Sequence, residues 1–319
     1  MTRRPDVGAL FGAPGTETFL GLPMAGNLGA LEAKIAILGV PCATPYPSVG
    51  PYCAGAPRAI RDAIAGYASN IHHVDFDLGG PIFPGAVTAV DAGDLACTEA
   101  DPAANRIAIR EAVATIVARG AVPIVIGGDD SVPIPVFEAF QGRGPLTIVQ
   151  IDAHIDWREE VAGERRGLSS TMRRASEMAH IERIVQVGQR GIGSARPGDF
   201  ADARSWGAIL VPAREVHEHG IAPVLQAVPA GSQVLLTFDC DGLDPAIMPA
   251  VIAPAPGGLT YWQAIGILRG IAAKARIAAF DLVEFVPERD VAGLGALTAA
   301  RIIINVLGLT ARQAPPVRD

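Results

Sequence analysis

Cysteine is scarce in this chain: four residues among 319, at positions 42, 53, 97 and 240, with no CxxC spacing. Four thiols so scattered do not make a disulfide frame for a chain of this length, and they read as free, buried thiols in a cytosolic protein. Basic charge is also in deficit. Lys and Arg number 26 against 33 Asp and Glu, for a net charge of −7, and no basic patch stands out. This argues against nucleic acid as a partner and leaves a mildly acidic chain suited to a cationic substrate. No uninterrupted apolar run reaches membrane-spanning length, so no membrane partner is expected. The start, Met1-Thr2-Arg3-Arg4-Pro5-Asp6, lacks the apolar stretch of a signal peptide. Internal repeats and linkers with a composition break are missing too, so a single domain over residues 1–319 is expected. Gly188 to Gly193 is a glycine-rich turn, but it lacks the strand-to-helix setting of a GxGxxG loop, which excludes a dinucleotide site.

What the chain does have is apolar residues. Half of it is hydrophobic and only 18% is charged, the balance of long buried strands separated by helices. Residues 1–31, rich in Gly and Pro, predict an irregular N-terminal arm over the surface or a neighbouring subunit. Eight short apolar runs then predict strands: Lys34 to Val40, Val87 to Asp91, Val122 to Ile126, Leu146 to Ile151, Arg183 to Val187, Ala208 to Val211, Gln233 to Phe238 and Ile277 to Asp281. Helical stretches lie between most of them. Strands alternating with helices indicate one parallel sheet covered on both faces. Pro41 to Gly55, with four prolines and two glycines, predicts a long shaped loop of the kind that carries function.

In such a sheet the chemistry sits at the carboxyl ends of the strands. Four acidic features fall there: Asp129-Asp130, the run Asp152-Ala153-His154-Ile155-Asp156, the pair Asp239 and Asp241, and Glu284. If the chain stays extended past Ile151, side chains two apart point the same way, so Asp152, His154 and Asp156 leave the strand on one face. The spacing of Asp239 and Asp241 repeats the pattern. Carboxylates and an imidazole pointing together are how a protein grips a divalent metal. Caps and turns alone seldom put acids after four separate strands.

Gly127-Gly128-Asp129-x-Ser131, Asp152-Ala153-His154-x-Asp156, Asp239-x-Asp241-x-x-Asp244-Pro245 and Glu284 together resemble the ureohydrolases, the arginase and agmatinase enzymes, and most closely the agmatinase branch. The resemblance runs from about Lys34 to Leu309. It implies a three-layer α/β/α sandwich with a central, mostly parallel eight-stranded sheet. It implies two divalent ions, Mn²⁺ first and Ni²⁺ as the alternative, and hydrolysis of a small cationic guanidino compound in the cytoplasm by a homo-oligomer, a trimer or hexamer. Carried over by motif, Asp152 and Asp239 each bridge both ions. Asp130 and Asp156 complete one shell, His154 and Asp241 the other. Glu284 orients the guanidinium and, with Asp156, is the catalytic pair, while a hydroxide shared by the metals attacks the guanidinium carbon. Asp129 and Asp244 hold the loops in place.

Two departures stand out. The family has His where this chain has Asp130, so five carboxylates surround the two ions and leave one net negative charge. A more negative shell raises the pKa of the shared water and predicts an alkaline activity optimum. Agmatinases also carry a His-Gly after the central Asp cluster, and the stretch Gly167 to Arg174 has no histidine. The loop Pro249 to Pro254 is more apolar than the family's. These changes point away from agmatine towards guanidine, an alkylguanidine or a biguanide. Two alternatives remain: a degenerate subunit supporting an active partner in a hetero-oligomer, and a hydrolase of another amidine such as a formimino compound. Among other residues, His72 and His73 are adjacent and cannot share a site from a strand, His180 ends a helix, and His217 and His219 read as a solvated face. Tyr46 and Tyr52 either line the pocket mouth or pack on the surface.

Overall fold

The computed structural model describes residues 7–11, 15–193 and 195–314. Its centre is an eight-stranded, wholly parallel sheet. In chain order the strands are β1 (Ile35–Gly39), β2 (Ala89–Asp94), β3 (Val122–Ile126), β4 (Leu146–Ile151), β5 (Ile181–Val187), β6 (Ile209–Val211), β7 (Gln233–Asp239) and β8 (Arg276–Val283). They lie side by side as β2-β1-β3-β8-β7-β4-β5-β6. All eight expected strands are present, with ends shifted by at most three residues. Outside the sheet, Val74–Asp75 pairs antiparallel with Gly80–Pro81, a ribbon the apolar pattern is too short to announce.

The alternation along each strand explains the layers. Ile35, Ile37, Ile124, Ile126, Val149 and Val234 enter one core; Ala36, Leu38, Val125, Ile148 and Leu235 enter the other. Buried on both faces, the strands are apolar throughout, as parallel strands must be. Helices α1 (Ala56–Ala65), α7 (Ala222–Ala227), α8 (Tyr261–Lys274) and α9 (Leu294–Ala311) cover the first face. On the second lie α2 (Pro102–Ala118), α3 (Pro133–Glu138), α4 (Thr171–Ser176) and α5 (Pro197–Trp206). The result is the expected α/β/α sandwich. Helix α2 starts where the sequence suggests: Asp101 caps it by accepting from the Ala104 N–H at 3.0 Å, and Pro102 follows. Thr260 and Gln263 form a capping box at the head of α8.

Three expectations need revision. Part of the N-terminal arm lies outside the described residues. The rest is less irregular than its composition suggests and packs on its own chain: Val7–Phe11 is a turn of helix, Phe19 and Leu20 are buried, and Ala25 donates to the Asp91 carbonyl at 2.8 Å. His217 and His219 lie on a helix, α6 (Ala213–His219). They are exposed, as expected, but His217 Nε2 meets the Gly258 carbonyl at 2.9 Å. Helix α9 is long and apolar enough to cross a membrane by length and composition, yet 72% of it is buried in the fold. Arg301 and Asn305 interrupt its apolar run. Both reach Asp77, at 2.8 and 3.3 Å, and so tie this core helix to the loop between the ribbon strands.

Candidate metal centre

The four acidic features come from strands β3, β8, β7 and β4, which are contiguous in the sheet. Their carboxyl ends open on one cavity of about 190 Å³, lined by Asp130, His154, Asp156, Asp239, Asp241 and Glu284 among others.

After β3, the Gly127-Gly128 pair lets the chain pass between its neighbours. A Cβ on Gly128 would sit 2.1 Å from the Pro41 carbonyl oxygen, and one on Gly127 2.7 Å from Val283 Cγ1. Asp129 then turns inward to accept from the Ser131 N–H at 3.1 Å and from its hydroxyl, bracing the turn. Asp130 behaves differently. Both of its carboxylate oxygens are buried with no hydrogen-bond partner. Its N–H donates to Glu284 Oε1 at 2.9 Å, and its carbonyl accepts from the Thr171 hydroxyl.

The central cluster converges, but not by strand alternation. Strand β4 stops at Ile151, the chain bends, and Asp156 adopts a left-handed backbone with φ of 45°. The side chains meet because the loop folds back, which the extended-chain argument did not anticipate. Asp241 Oδ1 accepts from the Ala153 N–H at 3.0 Å, and Asp241 Oδ2 lies 3.0 Å from His154 Nδ1. Asp239 accepts from the Asp241 N–H at 2.7 Å and caps the short turn that presents Asp241. Glu284 is also left-handed, with φ of 66°, and its N–H donates to the Gly128 carbonyl. Left-handed backbone at two non-glycine residues of one site is strain that the surrounding packing must hold.

Two overlapping sets of donor atoms result. Asp152, His154 and Asp241 each offer a ligand atom within 4.8 Å of the others, and so do Asp130, Asp152 and Asp239. Asp152 belongs to both. Asp156 lies beside them, joined to Asp152 through Gln150, whose Nε2 donates to Asp152 Oδ2 at 2.6 Å and to Asp156 Oδ2 at 2.7 Å. All six metal residues expected from the sequence are therefore brought together.

Electrostatics says what this cluster needs. Burial, reinforced by neighbouring carboxylates, pushes Asp130, Asp152 and Asp239 well above the usual carboxylate range. Burial raises Asp156 as well and lifts Glu284 to about 8. For Asp241 the same burial is outweighed by the His154 hydrogen bond, so its pKa falls. Burial works against protonating His154, but Asp241 raises it to about 9. Among the described residues, no Lys or Arg pairs with any of these carboxylates. The guanidinium of Arg190, close behind, spends its hydrogen bonds on backbone carbonyls, including Asp241 at 2.5 Å and Ala255 at 2.7 Å. A buried set of carboxylates that, among the described residues, meets no Lys or Arg and only one imidazole, and has one member with both oxygens unpartnered, fits a pair of divalent ions.

The structure adds residues the sequence reading passed over or left open. Tyr52 is neither a mouth nor a surface residue: its hydroxyl donates to both Glu284 oxygens. Tyr46 is buried and accepts from the Ser169 N–H at 3.4 Å. Gln150 is held in turn by Gln186, whose Nε2 donates to Gln150 Oε1 at 2.5 Å and to the Ile155 carbonyl at 2.8 Å. The signal was present as a lone Gln at matching places in two apolar strands, which pair in register. Asp244 is structural, accepting from the N–H groups of Ala246, Gly257 and Gly258. His72 and His73 are exposed, and His180 meets the Phe137 carbonyl at 2.9 Å. All four cysteines are free, and burial pushes the Cys42 thiol up to about 12, away from nucleophilic use.

A parallel sheet with acids clustered at its central carboxyl ends makes a site that could hold metal ions, and comparison with known proteins narrows it. The Arginase family profile matches residues 33–308, and the chain belongs to that family. It is 31% identical over 313 residues to a guanidinopropionase from Pseudomonas aeruginosa, covering 94% of this chain and 93% of that protein. To a mitochondrial agmatinase from Gallus gallus it is 36% identical over 205 residues, 62% of this chain and about 60% of that protein. A solved structure described as a hypothetical agmatinase from Burkholderia thailandensis superposes with a TM-score of 0.80 at 27% identity, over 94% of this chain and 92% of that one. The chain is accordingly a hydrolase of the ureohydrolase type, acting on carbon–nitrogen bonds.

Proposed function

We propose that this chain is a binuclear metal-dependent hydrolase of a small guanidino compound. The observation that carries the reading is the buried set Asp130, Asp152, Asp156, Asp239 and Asp241, five carboxylates that have no Lys or Arg partner among the described residues, four of them lining one cavity. Asp152 belongs to both donor sets; Asp130 and Asp239 complete one, His154 and Asp241 the other, and Asp156 lies beside them. Two divalent ions held there would supply positive charge and would lower the pKa of a bound water towards neutrality. The oxygen-rich donor set favours Mn²⁺ over Ni²⁺.

The chain's own groups account for the remaining steps. Glu284 lines the cavity, and Tyr52 and the Asp130 N–H fix its carboxylate, so it is pre-set to accept from a guanidinium N–H. Asp156, its pKa raised by burial, takes the proton released by the water. It passes that proton to the departing nitrogen as the carbon–nitrogen bond breaks, leaving an amine and urea. Leu168, Ile252, Ala253 and Trp157 give the cavity an apolar wall. Its 190 Å³ is below the roughly 300–1,000 Å³ of sites for drug-sized ligands, so the substrate is small. Arg289 donates to the Val251 and Ile252 carbonyls at 3.0 and 2.6 Å, fixing the apolar wall.

We read the protein as one cytoplasmic domain that works as a homo-oligomer. The test is urea release from a panel of small guanidino compounds, with metal content measured on the same preparation. Near two ions per chain together with urea release is the expected result. Near zero ions would turn the reading to a catalytically silent subunit supporting a partner. Two ions with formamide released from a formimino compound, and no urea from the panel, would turn it to another amidine.

A further inference from the structure

Five arginines fall between residues 158 and 174, in the loop after Asp156 and the helix that follows it. Four have carboxylate partners. Arg165 pairs with Glu159, and Arg166 with Glu138 at 2.6 Å. Arg173 pairs with Glu159 and Asp202 at 3.2 and 3.3 Å, and Arg174 with Glu159 and Glu177 at 3.0 and 3.1 Å. Arg158 differs. Among the described residues its guanidinium has no ion pair and no hydrogen bond, and it is the one of the five that lines the cavity. It is half-buried, and its N–H donates to the Ser169 carbonyl at 3.0 Å, so the side chain springs from a fixed point.

We infer that Arg158 binds a carboxylate at the far end of the substrate, which makes short ω-guanidino carboxylates the substrate class. The inference rests on the guanidino reading above. The floor of the cavity is anionic and takes the cationic end. An anionic tail finds no partner there and needs a cation at the rim. The guanidinium fork matches a carboxylate with two parallel hydrogen bonds. Ile252, Ala253 and Leu168 line the same cavity and suit the few methylenes that join the two charged ends. The same guanidinium repels a cationic tail, so one residue selects the acid and rejects the amine. Asp199, in the first turn of α5, also lines the cavity and does not pair with Arg158. It leaves room for an additional ammonium beside the carboxylate without replacing Arg158's role.

The test uses the full-length, metal-loaded chain and four probes: guanidinopropionate, guanidinobutyrate, butylguanidine and aminobutylguanidine. The acids are expected to exceed butylguanidine in kcat/KM by roughly 10- to 150-fold, the scale of a hydrogen bond to a charged group. The gain should appear mainly in KM, and aminobutylguanidine should trail. In R158A the ratio of acid to neutral probe should collapse towards one. R158K should keep part of it, and R158E should turn the preference to the amine. An unchanged ratio in R158A, or no advantage for the acids in the unaltered protein, overturns the inference. If no probe is hydrolysed, calorimetry of guanidinobutyrate against butylguanidine decides separately. Tighter acid binding lost in R158A upholds Arg158's role while sinking the hydrolysis reading; equal or undetectable binding of both sinks the inference itself.

Discussion

The Tyr52 hydroxyl donates to both carboxylate oxygens of Glu284, at 2.8 and 2.9 Å, across 232 positions of sequence. The long proline-rich loop after β1 is thereby fastened to the end of β8. Glu284 already sits in strained left-handed backbone, so its aim depends on this bond and on the Asp130 N–H.

Removing the hydroxyl isolates that dependence. Y52F keeps the ring and its packing but leaves Glu284 with one fixed partner. A hydrogen bond to a charged group is worth about 1.5–3 kcal/mol, so kcat/KM should fall roughly 10- to 150-fold. Metal content should stay the same, because Tyr52 touches none of the proposed ligands. Steady-state kinetics with metal analysis checks this, and a loss of bound metal in Y52F would reassign Tyr52 to holding the ligands.

Gln150 predicts the opposite pattern. Its amide spans Asp152 and Asp156, and Gln186 holds it from behind. Groups that orient metal ligands typically cost 10- to 100-fold in metal affinity or activity when removed. Q150L should therefore weaken metal binding by roughly that factor, visible in competition with a chelating dye, while KM moves little. Q150E, adding a carboxylate between two others, should destabilise the metal-free chain further. Unchanged metal affinity in Q150L would leave Gln150 as packing only.

These two residues also mark where the sequence was legible. The strands could be read because each is a short apolar run buried on both faces, and the acids because they follow the runs directly. Sheet order could not be read, since the β3-to-β4 crossover leaves a gap that β7 and β8 fill only later in the chain. The fold-back at Asp156 was hidden for a related reason. Left-handed backbone at an Asp is imposed by contacts far away in sequence, such as Asp241 on Ala153. Helix α6 went unseen because Ala213 and Val216 are its only buried residues, too few to set a period.

Asp130 carries a prediction about pH. Burial and the charges of Asp156 and Glu284 raise its pKa, and its carboxylate makes the donor set one charge more negative than a histidine would. Activity should rise from pH 7 to pH 9.5. D130H removes that charge and should move the rising limb of the kcat/KM profile down by about one pH unit. Equal rates at both pH values in the unaltered protein would contradict the charge argument, as would a profile that D130H does not move.

Metal removal should couple to pH with a definite sign. Asp130, Asp152, Asp156, Asp239 and Glu284 all have folded-state values above the ordinary ones, Glu284 at about 8. A group raised on folding contributes stability that is complete below its unfolded pKa and is lost as pH climbs through the folded one. His154, at about 9, follows the same rule, with its loss centred higher. Asp241 is lowered and runs the other way: it stabilises above its ordinary value and ceases to as pH falls through its folded one. Six groups against one decide the balance, so the metal-free chain should weaken from roughly pH 4 up to about pH 8. Divalent ions offset the repulsion by neutralising the same carboxylates, and ions that bind only the folded chain raise its melting temperature. Melting curves with and without a chelator should therefore diverge more at pH 8 than at pH 5. A gap of equal size at both pH values would mean that these carboxylates do not meet a metal in the folded protein.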